Sequence, residues 1–199
     1  MTIKSTVGLI VGSTREGRQG EKVARWVETR AQAREEFATE FIDLAHWVFP
    51  FYRHPLPARV AERSYTDARE AAWVALVRRM DAFIIVVPEY NHGYPAGLKN
   101  ALDYVSAGWA RKPVAFVSYG GSSGGVRAVE QLRLVAIELQ LAPIRDEVNL
   151  PFAHRALDEH GVPVEPSHGK RLEAMLGELS WWSQALKAAR TREDVPTNT

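Results

Sequence analysis

The fold is decided by residues 82–104, whose sequence is AFIIVVPEYNHGYPAGLKNALDY. The first six residues form a continuous apolar run that is rich in β-branched side chains and too short to span a membrane. This run predicts a central strand that is buried on both faces. A turn-rich segment follows, and a helix is predicted from about residue 97 to residue 105. Ligands of open α/β sheets bind in the crevice beyond the carboxyl ends of the strands. We therefore expect the chemistry of this protein beside residues 89–93.

The same alternation of strands and helices runs along the chain. Strands are predicted at 6–12, 40–44, 82–87, 113–119 and 142–150, and helices from residue 21 and at about 66–80, 97–105, 126–141 and 169–189. This alternation predicts right-handed crossovers and a parallel sheet with helices on both faces. Five strands in this rhythm predict an α/β, flavodoxin-like three-layer sandwich with the strand order 2-1-3-4-5. In that order, the loops after strands one, three and four converge.

Composition and charge limit the class of protein. The chain has 199 residues, 46% of them hydrophobic, which suits one compact domain, predicted over residues 1–190 with a polar tail at 191–199. Lys and Arg total 25 against 24 Asp and Glu, so the formal net charge is only +1. This charge creates no field that attracts nucleic acid or an anionic membrane. The expected partner is a small molecule.

The chain contains no cysteine, which excludes disulfides, thiolate nucleophiles and Cys-based metal sites. Any redox chemistry must therefore come from a cofactor. No signal-peptide pattern is present and no apolar run approaches 18 residues, so we expect a soluble cytoplasmic protein. The histidines lack the spacing of metal ligands, and we expect no metal site. Neither a carboxylate pair nor a Gly-x-Ser-x-Gly elbow is present, which disfavours a hydrolase.

The first of the three converging loops is suited to phosphate. Residues 12–20, GSTREGRQG, combine two hydroxyls, two guanidinium groups and three glycines directly before a helix. Backbone amides at a helix amino terminus, hydroxyl donors and a bidentate arginine suit a phosphate monoester. The loop matches neither the Gly-x-Gly-x-x-Gly pattern of dinucleotide sites nor the Gly-Lys-Ser/Thr pattern of nucleoside triphosphatases. A solvent-exposed turn is the alternative.

The second and third loops are suited to a flat ring. The amides of residues 89–93 can contact the edge of a heteroaromatic ring, with an aromatic side chain of residues 90–94 covering a face. The third loop, SYGGSSGG at residues 118–125, has four glycines that let the backbone approach the same ring. A flexible connector is the alternative for this loop. The aromatic segment at 47–57 is predicted either to wall a substrate pocket or to pack beneath a long connection.

Three motifs resemble those of a known family. They are GSTR at 12–15, PEYN at 88–91 with GYPAGLKNALD at 93–103, and GG at 120–121. Over residues 6–150 the chain is similar to the NADPH-dependent FMN reductase family, which includes azoreductases, chromate reductases and quinone reductases. The resemblance implies a flavodoxin-like fold and the cofactors FMN and NADPH, with NADH as a second possible donor. It also implies a homodimer or homotetramer with FMN near the subunit interface.

The resemblance further implies the residues of the cofactor site. Ser13 and Arg15 would hold the FMN phosphate, and the same loop would be completed by Arg18, Gln19 and Gly20. The isoalloxazine would be lined by Pro88, Glu89, Tyr90 and Asn91, and closed on its other side by Ser118, Tyr119, Gly120 and Gly121. No protein residue is expected to be catalytic, because the chemistry takes place at flavin N5.

Two positions depart from the family pattern. Several members have a small hydroxyl residue or asparagine near positions 18 and 20, where this chain has Arg18 and Gly20. An alternative role for Arg18 is a contact with the 2′-phosphate of NADPH.

The resulting hypothesis is an FMN-dependent NAD(P)H oxidoreductase. It would pass hydride from NAD(P)H through FMN to a small acceptor such as a quinone, an azo compound, a metal oxyanion or free flavin. The alternatives are a flavodoxin-type electron carrier and a flavin-free sensor or interaction module on the same fold. Apolar residues at 96–109 and 126–141 are expected to support oligomerisation.

Overall fold

The computed structural model describes residues 4–192. At its centre lies a parallel sheet of five strands in the order β2-β1-β3-β4-β5. The strands are β1 (Ser5–Val11), β2 (Phe37–Asp43), β3 (Ala82–Pro88), β4 (Pro113–Gly120) and β5 (Ala142–Pro151). The predicted flavodoxin-like order is confirmed. Of the tail predicted at 191–199, residues 193–199 lie outside the described part of the chain.

Helices cover both faces of the sheet. They are α1 (Gly20–Gln32), α2 (Ala58–Ala61), α3 (Ala68–Arg79), α4 (Ala96–Asp103), α5 (Val126–Glu138), α6 (Ala153–Ala156) and α7 (Pro166–Arg190). Sequence periodicity does not predict α2 and α6, because four residues are too few to show a repeat. None of the helices in residues 4–192 combines the length and the apolar character needed to cross a membrane.

The strand β3 is buried along its whole length because it pairs with β1 and β4 and has helices over both faces. One apolar layer joins the sheet to α1 and α7 through side chains such as Trp26 and Leu176. A second layer joins it to α3, α4 and α5 through side chains such as Trp73 and Leu132. These two layers fix the strand ends, and therefore the starting points of the loops.

The large apolar side chains of residues 96–109 belong to this second layer. Leu98, Leu102 and Trp109 are each at most 2% exposed. The expectation that this segment offers an apolar oligomer surface was therefore wrong, since these side chains are used within the chain. In the second segment of that expectation, Leu134 and Ile137 on α5 remain 72% and 64% exposed.

Candidate functional site

Three loops meet beyond the carboxyl ends of β1, β3 and β4, as the strand order requires. The Gly12 amide donates to the Val86 carbonyl at 2.8 Å, so the first loop leaves the sheet beside β3. The Glu89 amide donates to the Tyr119 carbonyl at 3.0 Å, so the second loop leaves it beside β4. The three segments singled out in the sequence therefore line one crevice.

The first loop presents hydrogen-bond donors at the amino terminus of α1. Ser13 is fully buried, and its Oγ lies 2.7 Å from the Tyr90 hydroxyl of the second loop. The Arg15 guanidinium lies 5.3 Å from the centroid of the Tyr90 ring and is exposed. Gln19, the N-cap residue of α1, makes no capping hydrogen bond with its side chain. Amides at a helix amino terminus, a hydroxyl and a guanidinium are the kinds of group that bind anions in proteins.

Arg18 points into the protein instead of towards solvent. Its guanidinium forms an ion pair with Asp43 at the end of β2, and the two side chains are only 13% and 6% exposed. Its Nη1 also donates to the Arg15 carbonyl at 3.3 Å, while its Nε is buried without a hydrogen-bond partner in the described residues. A side chain held in this way does not favour the alternative contact with the 2′-phosphate of NADPH. Arg18 instead connects the first loop to the end of β2.

Tyr119 directs its side chain beneath the first loop. The residue is 6% exposed, and its hydroxyl has no hydrogen-bond partner in the described part of the chain. A Cβ atom on Gly20 would lie 2.5 Å from this hydroxyl, so the absence of a side chain at position 20 makes room for Tyr119. Burial raises the pKa of Tyr119, although Ser13, Arg18 and the Gly20 amide act in the opposite direction. The hydroxyl therefore stays protonated and remains a donor.

The second loop closes in a tight turn between Tyr90 and Gly93. The Tyr90 amide donates to the Gly93 carbonyl at 2.9 Å, and the Gly93 amide donates back at 3.1 Å. Asn91 and His92 take the left-handed conformation, with φ of 51° and 67°. Two consecutive left-handed residues indicate a type I′ turn, which is strained for a residue such as histidine. The Gln131 side chain supports the turn by donating to the His92 carbonyl at 2.7 Å.

Glu89 links the second loop to the third. Its carboxylate accepts hydrogen bonds from the Ser123 hydroxyl at 3.0 Å, the Arg127 amide at 3.2 Å and the Arg127 Nε at 2.7 Å. Burial alone would raise the pKa of Glu89, but the bonds from Arg127 and Ser123 outweigh it and hold the pKa below its usual value. An ionised, fully paired carboxylate is a structural link and not a proton donor. Sequence reasoning missed Arg127, because nothing local marks it as the partner of Glu89.

The third loop exposes backbone to the crevice. The Ser118 hydroxyl donates to the Gly124 carbonyl at 2.8 Å and accepts from Asn149 at 2.9 Å, so Ser118 holds the loop from beneath. Gly125 has φ of 92°, and a Cβ there would lie 2.7 Å from Ser118 Cβ, so this position requires glycine. A Cβ on Gly121, in contrast, would meet no atom within 4 Å. Position 121 is thus open on the side where a side chain would lie, while its carbonyl accepts from the Gly124 and Phe152 amides at 3.1 and 3.0 Å.

The aromatic segment at 47–57 packs against the core, as one of its two predicted roles requires, and it also borders a cavity. Trp47 and Phe49 pack against the core layer under α3 and α4. They also line a cavity of about 350 Å³ together with Phe51, Thr14 of the first loop and residues at the start of α4. Phe51 is 78% exposed, which places it at the rim. The cavity therefore opens beside the first loop, with aromatic walls on one side.

Comparison with known proteins identifies the family. Residues 5–155 match the family described as NADPH-dependent FMN reductase. The chain belongs to this family. It is an oxidoreductase that depends on FMN and NAD(P)H, as the resemblance of the motifs implied. Membership favours this activity over the electron-carrier and flavin-free alternatives.

Curated relatives carry the same activity in their names. An NAD(P)H-dependent FMN reductase of Schizosaccharomyces pombe is 35% identical over 153 residues, which is 76% of each chain. One of Saccharomyces cerevisiae is 32% identical over 180 residues, which is 85% of this chain and 94% of the relative. A quinone reductase of Pseudomonas putida is 30% identical over 142 residues, covering 68% of this chain and 72% of the relative.

Solved structures agree on the fold. FerB, a flavoenzyme NAD(P)H:(acceptor) oxidoreductase from Paracoccus denitrificans, superposes with a TM-score of 0.73 at 22% identity, covering 91% of this chain and 98% of FerB. A flavodoxin of Streptococcus pneumoniae has a TM-score of 0.57 at 12% identity, covering 89% of this chain and 99% of the flavodoxin. At this level of identity the likeness concerns the fold alone.

The residues of the three loops fit FMN. The phosphate end is matched by the amino terminus of α1 and by two buried donors that have no partner within residues 4–192, the Tyr119 hydroxyl and Arg18 Nε. The ring end is matched by the open side of Gly121 and by the turn at residues 90–93.

Proposed function

We propose that this enzyme reduces a flat, apolar acceptor of the quinone class with electrons from NAD(P)H, and that FMN binds across the three converging loops. The observation that carries the proposal is the direct link between the loops, in which Ser13 Oγ lies 2.7 Å from the Tyr90 hydroxyl. A phosphate held at Ser13 and a ring held at residues 88–91 are then parts of one continuous site. We also treat residues 1–190 as one FMN-binding domain.

The phosphate would be held by the first loop. Ser13, Arg15, Gln19 and Gly20 supply a hydroxyl, a guanidinium and amides at the start of α1, and this helix end favours negative charge. Arg18 contributes mainly through its ion pair with Asp43, which holds the loop against β2. Arg15 remains exposed above Tyr90, where it can close over a bound anion.

The ring would lie between the second and third loops. Pro88, Glu89, Tyr90 and Asn91 supply backbone on one side, and Ser118, Gly120 and Gly121 supply it on the other. Glu89 sets the spacing of the two loops through Arg127. When bound, FMN supplies the two-electron chemistry, and the chain supplies position and electrostatics. Backbone amides of the third loop would favour the negative charge of the reduced ring.

The acceptor would enter through the aromatic cavity. Trp47, Phe49 and Phe51 give it apolar, flat walls, which suit a quinone better than a highly charged metal oxyanion. The quinone reductase of Pseudomonas putida among the relatives supports this choice of acceptor class. A homodimer joined through the exposed apolar residues of α5, acting in the cytoplasm where NAD(P)H is available, completes the proposal.

Purified protein tests the proposal directly. It should show the absorbance of bound flavin, and without oxygen NADPH should be consumed beyond the one equivalent that reduces the bound FMN only when a quinone is added. Protein that binds no flavin in excess FMN would contradict the whole proposal. Tight FMN binding with negligible NADPH oxidation would favour a flavodoxin-type carrier instead. Equal rates with the quinone and with chromate would contradict the acceptor class alone.

A further inference from the structure

The hydroxyl of Tyr119 is a buried polar group close to the first loop. Tyr119 lies on β4 and is 6% exposed, yet its hydroxyl has no hydrogen-bond partner among residues 4–192. Buried hydroxyls in proteins are nearly always hydrogen-bonded, and an exception calls for a ligand or an ordered water. The neighbouring Ser118 is fully bonded, to Gly124 and Asn149, so the third loop itself does not explain the free hydroxyl.

The position of this hydroxyl relates it to the first turn of α1. It lies 2.5 Å from where a Cβ atom of Gly20 would be, and Gly20 is the first residue of that 13-residue helix. The side chain of Gln19, the N-cap residue, makes no capping hydrogen bond. The Nε of Arg18, two residues earlier in the chain, is a second buried donor without a partner in the described residues. One of these two donors lies against the first turn of α1, and the other belongs to the residue two positions before that turn.

We propose that the Tyr119 hydroxyl donates a hydrogen bond to the FMN phosphate and occupies the place of the missing side chain at position 20. The inference rests on the proposed FMN site and assigns Tyr119 to the phosphate end, whereas the resemblance implied a role beside the ring. A phosphate dianion offers only acceptors, so a neutral donor fixed by the core adds to its binding without adding charge. A serine at position 20 would place its hydroxyl close to where the Tyr119 hydroxyl lies. Either residue could therefore supply the hydroxyl that binds the phosphate.

The test separates phosphate recognition from ring recognition. Dissociation constants for FMN and for riboflavin, which lacks the phosphate, are measured by flavin fluorescence with the flavin-free full chain. For Tyr119→Phe we expect FMN affinity to fall by at least about tenfold and riboflavin affinity to stay unchanged, because one hydrogen bond to a charged group is lost. As a matched control, Tyr65→Phe removes a hydroxyl that donates to the Tyr104 carbonyl at 2.9 Å, and it should change neither constant.

A second pair of variants tests the exchange. Gly20→Ser alone should weaken FMN binding, because its Cβ would collide with the Tyr119 hydroxyl at 2.5 Å. In the double variant Gly20→Ser/Tyr119→Phe the nearest remaining ring atom lies 3.2 Å from that Cβ, so the serine fits after a small shift. Its hydroxyl should restore FMN affinity to above that of either single variant. Far-ultraviolet circular dichroism verifies that each variant is folded.

The outcomes distinguish the inference from the proposed function. An equal loss for FMN and riboflavin in Tyr119→Phe, or no loss for either, would overturn the phosphate role while leaving the FMN site intact. A double variant weaker than both single variants would overturn the exchange. A wild-type chain that binds neither flavin would overturn the FMN site itself, and the role of Tyr119 with it.

Discussion

Glu89 and Arg127 are joined by two kinds of hydrogen bond, one from the Arg127 amide at 3.2 Å and one from its Nε at 2.7 Å. The pair ties the loop after β3 to the start of α5, so the two sides of the proposed ring site are held at a fixed separation. The carboxylate is only 5% exposed, whereas the guanidinium is 41% exposed. Water can solvate the guanidinium of Arg127 but hardly reaches the carboxylate of Glu89. The negative charge of Glu89 therefore needs Arg127, whereas the positive charge of Arg127 does not need Glu89.

Substitution Glu89→Gln keeps the shape of the side chain and removes its charge. We expect the free energy of unfolding to fall by about 1–2 kcal/mol, since charge-assisted bonds to a buried carboxylate are lost but the exposed guanidinium regains water. FMN affinity should fall as well, because the two loops are no longer held together. Urea unfolding of the flavin-free protein and a fluorescence titration with FMN measure the two effects.

Glu173→Gln is the matched control for this prediction. Glu173 pairs with Arg30 at 2.7 Å and with Arg34 at 3.5 Å, and its own side chain is 42% exposed, against 48% for Arg30 and 26% for Arg34. Removing a surface pair of this kind should cost less than about 0.5 kcal/mol and leave FMN binding unchanged. If Glu89→Gln lowers the free energy of unfolding no more than Glu173→Gln does, the link between the loops does not stabilise the protein.

A pH dependence is expected from Asp81, which joins the start of β3 to the end of α7. Its carboxylate accepts hydrogen bonds from Lys187 Nζ at 2.7 Å, Arg190 Nη2 at 3.1 Å and the Thr6 amide at 3.0 Å. Burial alone would raise the pKa of Asp81, but these bonds and charges hold the pKa below its usual value. The stabilisation is therefore fully present above the unfolded-state pKa of about 3.9 and is lost as the pH falls through the lower folded-state pKa.

The measurement is the free energy of unfolding at several pH values between about 3 and about 6, for the wild type and for Asp81→Asn. The wild type should lose stability more steeply than the variant below about pH 4, because only the wild type takes up a proton at this position. Asp103→Asn, which removes a carboxylate that is 38% exposed and pairs with Lys99, should retain the wild-type slope. Parallel curves for the wild type and Asp81→Asn would contradict the assignment.

The strand order and the three loops could be predicted from the sequence because their signals are local. A short apolar run such as residues 82–87 is recognisable by itself, and parallel strands connected by helices leave few possible topologies. Glycine-rich loops at strand ends were equally visible. The strands and loops were predictable because each is marked by its own stretch of apolar or glycine-rich sequence.

The pairings within the site could not be predicted, because they join residues that are distant in sequence. Arg18 belongs to the first loop, but its partner Asp43 is the last residue of β2. The free hydroxyl of Tyr119 and the requirement for glycine at position 20 depend on the side chain of one strand lying under the loop of another. The apolar residues of α4 were misassigned to an oligomer surface because periodicity does not say which neighbour covers a helix.

Phe51 provides a test of the acceptor cavity. Because the side chain is 78% exposed, Phe51→Ala should change the free energy of unfolding by less than about 0.5 kcal/mol. The KM for a quinone should rise by about tenfold through the loss of an apolar wall, while FMN affinity stays the same. Val164→Ala, at a residue that is 61% exposed and does not line the cavity, serves as the control. An unchanged KM in Phe51→Ala would place the acceptor elsewhere.

Leu134 and Ile137 test the proposed homodimer. They lie three residues apart on α5, so they share one face of the helix, and they are 72% and 64% exposed. Two large apolar side chains on one exposed face favour contact with a second copy. The same helix begins at the third loop and supports the second loop through Gln131, so a copy bound there would lie near the flavin. Light scattering of the wild type should give twice the chain mass of 22.3 kDa.

The double variant Leu134→Glu/Ile137→Glu should scatter as a single chain, because burying two carboxylates at the interface is unfavourable. Trp181→Glu, at a residue on α7 that is 63% exposed, is the control and should remain a dimer. If Trp181→Glu dissociates and the α5 variant does not, the interface lies on α7 instead. A wild type of 22.3 kDa at micromolar concentration would rule out the dimer, and the flavin site would then have to be complete within one chain.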